Sequence, residues 1–334
     1  MKQLIRELTE TYGPSGHEDA VREVIKKHIT GHVNEMRVDA LGNLIALKKG
    51  RPRKGVDSRK IMLAAHMDEI GVIISHVDEK GFLRFSGIGG VNPLTLLGSR
   101  VLFGDGSVGV IGREQPDKPE EFPRMEKLYI DVGAVDQAHL TKKVGDVASF
   151  TRPFADLGQR LTAKAMDDRI GCAILVQTLL ELKATPHDVY FVFTVQEEVG
   201  LRGALTSAFG VEPDVAIAVD ITGSGDTPEA WPMAMALGAG PAIKVKDRGM
   251  LAHPGVKNWM AGTAERLGIP YQFEVLEMGT TDAMAIQTSR AGVAAGVLSV
   301  PTRYAHTPSE MLDYGDAQNA VKLLLGLLSG PVAI

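Results

Sequence analysis

Apolar positions along the chain recur with two periods, one helical and one extended. Leu4, Leu8 and Tyr12 return at helical spacing until Gly13-Pro14 interrupts them, which predicts an opening helix. Ser15 followed by Glu18 has the spacing of a capping box, and Val21, Val24, Ile25 and Ile29 line one face of a second helix. Residues 33–48 alternate imperfectly, with turns at Asn34 and Gly42-Asn43, and predict a hairpin. Ile61-Met62-Leu63-Ala64-Ala65 is a continuous apolar run, the pattern of a strand covered on both faces.

Over residues 70–155 the texture changes. Short β-rich pieces such as Gly71-Val72-Ile73-Ile74 and Ser107-Val108-Gly109-Val110-Ile111 alternate with glycines and charged turns, and no long helical pattern is present. This predicts a small all-β domain, with Arg113–Arg124 as an exposed loop, inserted into a larger domain made of residues 1–69 and 156–334. From Asp167 the α/β rhythm returns. Ile170, Ile174, Leu175, Leu179 and Leu182 mark a helix, and Val189–Val195 and Val215–Val219 read as central strands. Helices are expected near 200–210 and 256–267, strands at Ala242–Val245 and Val293–Val300, and a closing helix at Val321, Leu324 and Leu327. Such alternation means a layered α/β fold.

Composition narrows the class. The 334 residues are ample for a buried core, and 37 glycines predict many tight turns. With 36 basic against 41 acidic residues the net charge is -5, and aromatic residues are only 5%. That balance argues against a dominant nucleic-acid footprint or a base-stacking platform. Cys172 is the single cysteine, so neither an intrachain disulfide nor a cysteine-based zinc finger can form. Such usage suits a reducing compartment. Met1–Glu7 carries no apolar leader pattern, and no apolar run reaches the ~18 residues of a membrane span. A cytoplasmic globular protein with no membrane partner is the expectation.

The chemistry gathers where strands end. Ile61–Ala65 runs into His66-Met67-Asp68-Glu69, Val189–Val195 into Gln196-Glu197-Glu198, and Val215–Val219 into Asp220. Tyr304-Ala305-His306 follows the last strand, and Asp167-Asp168-Arg169 precedes a helix. In open α/β sheets ligands bind beyond the carboxyl ends of strands, so these groups can meet in one place. Two histidines and several carboxylates without a thiolate suit zinc, cobalt or manganese. Two divalent ions about 3.5–4 Å apart would offset the repulsion of buried acids. In extended backbone Asp68 falls on the same side as His66 and can fix its tautomer. Glu197 and Glu198 point to different sides, so one can ligate while the other serves as base. Taken singly, each motif has a plainer reading: a charged turn at Glu197-Glu198, a helix cap at Asp167-Asp168, a surface histidine at His306. There is no Gly-x-Ser-x-Gly elbow, Walker A pattern or dinucleotide fingerprint. Cys172 falls inside an apolar helix and reads as core.

The motifs in order are Tyr12-Gly13-Pro14-Ser15-Gly16, Ala65-His66-Met67-Asp68-Glu69-Ile70-Gly71, Ala165-Met166-Asp167-Asp168-Arg169, Gln196-Glu197-Glu198-Val199-Gly200, Val219-Asp220, Gly279-Thr280-Thr281-Asp282-Ala283 and Pro301–Pro308. With them the chain resembles the tetrahedral aminopeptidases, which include glutamyl and deblocking aminopeptidases and some members labelled endoglucanase. The resemblance implies a two-metal aminopeptidase acting on short peptides. It places His66 and Asp220 on one ion, Glu198 and His306 on the other, and Asp167 between them. Asp168 is structural, Asp68 orients His66, Glu197 is the general base and Asp282 lines the substrate pocket. The metals are zinc or cobalt, with manganese also accepted. The resemblance further implies that the inserted β domain serves assembly, through dimers, of a hollow tetrahedral dodecamer. The loop Lys246–Met250 is a candidate for the S1 pocket or a subunit contact. A two-metal amidohydrolase or deacylase of N-acyl compounds, a glycosidase, and a non-catalytic assembly protein are the competing classes.

Overall fold

The structure, a computed structural model, describes residues 1–116 and 122–334. The first helices are α1 (Lys2–Glu10) and α2 (Asp19–Ile29), followed by strands β1 (Glu35–Val38), β2 (Leu44–Lys48) and β3 (Lys60–His66). Next come β4 (Gly71–Val77), β5 (Leu83–Ile88), β6 (Arg100–Phe103), β7 (Val108–Arg113), β8 (Leu128–Asp131) and β9 (Val147–Phe150). The chain continues through β10 (Ala155–Asp156), β11 (Arg160–Ala163), α3 (Met166–Glu181), β12 (Asp188–Thr194), α4 (Arg202–Val211) and β13 (Val215–Thr222). It ends with β14 (Ala242–Lys246), α5 (Pro254–Leu267), β15 (Gln272–Val275), α6 (Asp282–Gln287), β16 (Ala294–Arg303), β17 (Glu310–Asp313) and α7 (Tyr314–Leu328).

Eleven strands form one mixed sheet in the order β1-β2-β12-β3-β13-β16-β17-β11-β10, with β14 and β15 branching from β16. Its centre, β12-β3-β13-β16, is parallel. Ile61, Leu63 and Ala65 of β3 face a core shared with α1, α2, α3, α5 and α7, whereas Met62 and Ala64 face α4 and α6. A strand apolar on both sides must be covered on both sides, so the continuous runs read from the sequence become the middle layer. Fully burying one such side chain, Phe191 for example, is worth roughly 1.5–3 kcal/mol.

Between β3 and α3, strands β4-β5-β8-β7-β6-β9 close into an antiparallel barrel with its own core of Val72, Phe85, Val101, Ile111 and Ile130. Residues 117–121 of the expected loop Arg113–Arg124 lie outside the described residues. One local expectation fails. Ser15 and Glu18 do not form a capping box: Glu18 precedes α2 without a side-chain cap, and both side chains are drawn into tertiary contacts instead.

Candidate active site

The ladder between β12 and β3 ends at the Thr194–His66 pair, and that between β13 and β3 ends earlier, at Ala218–Ala64. Beyond these points β3 has no strand partner, while β13 and β16 pair on to Thr222–Pro301, and polar side chains occupy the carboxyl edge of the sheet, where such folds take ligands. His66 closes β3, Glu197 and Glu198 follow β12, Asp220 lies near the end of β13 opposite Ser299 of β16, and His306 follows β16. Asp167 and Asp168 open α3 with non-helical backbone before the regular helix begins at Arg169.

Asp167 is the hinge of the arrangement. Its Oδ1 lies 3.1 Å from His66 Nε2 and its Oδ2 lies 3.2 Å from His306 Nε2. Glu198 Oε1 is 3.5 Å from His306 Nε2, and Glu197 Oε2 is 4.0 Å from His66 Nε2. Ligand atoms of His66, Asp167 and Glu198 fall within 4.8 Å of one another, and so do those of His66, Asp168 and Asp220. Asp168 also accepts from the backbone N–H groups of His66 and Gly171.

Each ring is oriented through its second nitrogen. His66 Nδ1 donates to the backbone carbonyl of Asp68 at 3.0 Å, nearer than the Asp68 carboxylate at 3.5 Å. Because a carbonyl only accepts, this partner fixes the proton on Nδ1 and turns Nε2 towards Asp167. The Asp68 carboxylate has other donors: the backbone N–H groups of Glu197 and Glu198 and the Ser15 hydroxyl. It thus holds the start of the Glu197-Glu198 turn. His306 Nδ1 lies 3.3 Å from the Gly90 carbonyl of the barrel.

Asp282, at the start of α6, is 2% exposed. One of its oxygens accepts from the Thr194 hydroxyl and the other has no hydrogen-bond partner among the described residues. Buried against Thr194, the β12 residue paired with His66, it does not offer the open pocket wall expected of it from the sequence.

The electrostatics are those of too many acids in too little water. Burial, and then neighbouring negative charge, pushes Glu197, Asp168 and Asp220 well above the carboxylate range and Glu198 up to about 7. Burial also takes Asp282 up to about 6. Against burial, the two flanking imidazoles hold Asp167 below the usual range. The hydrogen bond to Asp167 pushes His306 up to about 10. Such a cluster is stable when positive charge is supplied among the acids. Glu198 Oε1, buried with no hydrogen bond among the described residues, is an acceptor aimed into it. A divalent cation fits that donor set of imidazole nitrogens and carboxylate oxygens.

Two contributors escaped the sequence reading. Glu310, at the start of β17, is 2% exposed and accepts from the backbone N–H groups of Asp167 and His306, at 2.9 and 2.8 Å. Its only signal was an acid four residues beyond His306. Glu18 accepts from the N–H groups of Gly16 and Gln196, tying the N-terminal segment to the turn that carries Glu197.

A covered parallel sheet with histidines and acids converging at its carboxyl edge defines a metal-dependent hydrolase. The family profile described as M42 glutamyl aminopeptidase matches residues 42–323, and the chain belongs to that family. It is 47% identical over 327 residues, 97% of each chain, to a putative aminopeptidase of Acetivibrio thermocellus. Its structure superposes on aminopeptidase APDkam598 from the archaeon Desulfurococcus kamchatkensis with a TM-score of 0.92 and 43% identity, covering 98% of this chain and 94% of the other. It superposes on the Pyrococcus horikoshii TET1 peptidase, described as able to assemble into a tetrahedron or a large octahedral shell, with a TM-score of 0.85 and 32% identity, covering 98% and 99%. The resemblance read from the motifs is thus the family found by comparison, and the chain is a metal-dependent aminopeptidase, a hydrolase of peptide bonds. No described helix is long and apolar enough to cross a membrane.

Proposed function

We propose that the cluster around Asp167 removes the N-terminal residue from short peptides with two divalent cations per chain. The observation that carries this reading is a single carboxylate with a different histidine at each oxygen, at 3.1 and 3.2 Å. His66 and Asp220 would hold one cation, Glu198 and His306 the other, and Asp167 both. Zinc and cobalt suit the donors best, and manganese is tolerated. When bound, the pair would acidify the attacking water and polarise the scissile carbonyl. Glu197, within 4.0 Å of His66 Nε2 but outside both ligand groups, is free to take the proton of that water and return it to the leaving amine. Asp68 keeps the Glu197 backbone and the His66 ring in register.

The tetrahedron or octahedral shell of the P. horikoshii relative supports self-association into a closed shell for this chain too; we infer that it is a dodecamer built of dimers in which the inserted barrel serves assembly. Confinement inside such a shell would restrict access to short unfolded peptides. A buried, unpaired Cys172 agrees with a reducing, cytoplasmic setting. The test is a panel of aminoacyl chromogenic substrates offered to protein stripped of metal and reloaded with Zn²⁺, Co²⁺ or Mn²⁺, alongside Glu197→Gln. The variant is expected to keep two ions per chain and lose at least a hundredfold in kcat. Near-normal turnover by Glu197→Gln removes Glu197 from the role of base. Hydrolysis of N-acyl compounds without release of free amino acids from unblocked peptides favours a deacylase.

A further inference from the structure

The inserted barrel reaches the active site through one turn, Gly89-Gly90, immediately after β5. The Gly90 carbonyl accepts from His306 Nδ1 at 3.3 Å. A Cβ on Gly90 would stand 2.4 Å from that same nitrogen and 2.9 Å from Cε1. The backbone of Gly90 is not in the left-handed region, so nothing in its φ demands glycine; the His306 ring does. At Gly89 both reasons apply. Its φ is +74°, and a Cβ would meet Glu198 Oε2 and Ile70 Cγ2 at 2.8 Å. The His306 side chain is 40% exposed; Asp167 and Glu198 face its Nε2, and Gly90 is the partner at Nδ1.

Resting on the metal reading above, we propose that the Gly89-Gly90 turn is a positioning element of the metal centre. The Gly90 carbonyl selects the His306 tautomer protonated on Nδ1, and this leaves the Nε2 lone pair for the cation shared with Glu198. The missing side chains let the turn close over His306 and Glu198. The barrel therefore completes the site in addition to any part it takes in assembly. Partners of this kind, which orient a ligand through its second nitrogen, typically change metal affinity by about 10–100-fold when altered.

The experiment is a titration of metal-stripped protein with Zn²⁺ against a competing chelator, on the unsubstituted chain, Gly90→Ala, His306→Ala and the double variant. The unsubstituted chain is expected to bind two ions. Gly90→Ala should retain one and bind the second at least tenfold more weakly. In the His306→Ala background Gly90→Ala should have no further effect, because the ring it strikes is gone. Normal affinity for both ions in Gly90→Ala overturns the proposal, and so does an equal loss that persists without His306. If Gly90→Ala does not fold alone, folding should return in the double variant, and its failure there is a refutation. Fewer than two ions on the unsubstituted chain overturns the metal reading itself, before any variant is compared.

Discussion

Replacing Glu18 by Gln should make the protein more stable at pH 8 and leave it nearly unchanged at pH 5. Glu18 is 4% exposed, and a single oxygen, Oε1, accepts both the Gly16 N–H at 2.7 Å and the Gln196 N–H at 3.1 Å. A glutamine presents an equivalent oxygen and carries no charge. Burial, and then the charge of Asp68, lifts the Glu18 carboxyl from its ordinary 4.5 to about 7. Between those values the folded chain binds more protons than the unfolded one, so stability falls as pH rises through the window and levels off above it. At about 1.4 kcal/mol per pKa unit, the full cost of the deprotonated form is about 3 kcal/mol. The hydrogen bonds from Gly16 and Gln196, which favour the charged form, are already included in that rise, so the variant should gain on the order of 2–3 kcal/mol at pH 8. Urea unfolding of metal-loaded protein at several values from pH 5 to 8 measures the difference between the two chains. A difference that does not change with pH, or one that turns against the variant as pH rises, refutes the reasoning.

Asp167→Asn removes the negative charge shared by His66 and His306, and it should reduce bound metal from two ions to at most one by elemental analysis; two ions at normal affinity would show that neither histidine needs that carboxylate. Arg169 is fully buried and donates to the carbonyls of Leu8, Thr11, Gly13 and Met67 and to Glu69, so Arg169→Leu should cost about 3–5 kcal/mol in denaturant unfolding by stranding an acid and several acceptors. A loss below ~1 kcal/mol would mean that Lys164, which binds both Glu69 oxygens, satisfies the site alone.

The long elements were legible because they bury both faces. Val189–Val195 and Val215–Val219 could hardly be anything but covered strands, and the textural break after His66 foretold the barrel. Short pieces defined by their neighbours were not legible. β15 lies at a sheet edge with Phe273 and Val275 exposed, and β17 buries Glu310, an acid that reads as loop until its two backbone donors are seen. The Ser15–Glu18 spacing was real, but Asp68 and Gln196 offered both side chains better partners than the helix end did. Nor does any residue pattern announce that Ala165, Gln196, Tyr304 and His306 take left-handed backbone beside the site. Strand-end acids showed where chemistry collects; it took the ordered motifs to say which chemistry.

His66 lies on the central strand β3 and is the first of the proposed metal ligands in the chain, whereas His306 follows β16 and is the last of them. No N-terminal fragment that stops short of β16 can present both imidazoles to Asp167. During synthesis the nascent polypeptide therefore lacks the second imidazole until β16 and the residues after it have left the ribosome. Loading of the second ion would then report that β16 is in place, and products truncated before it would stay inert instead of becoming stray proteases.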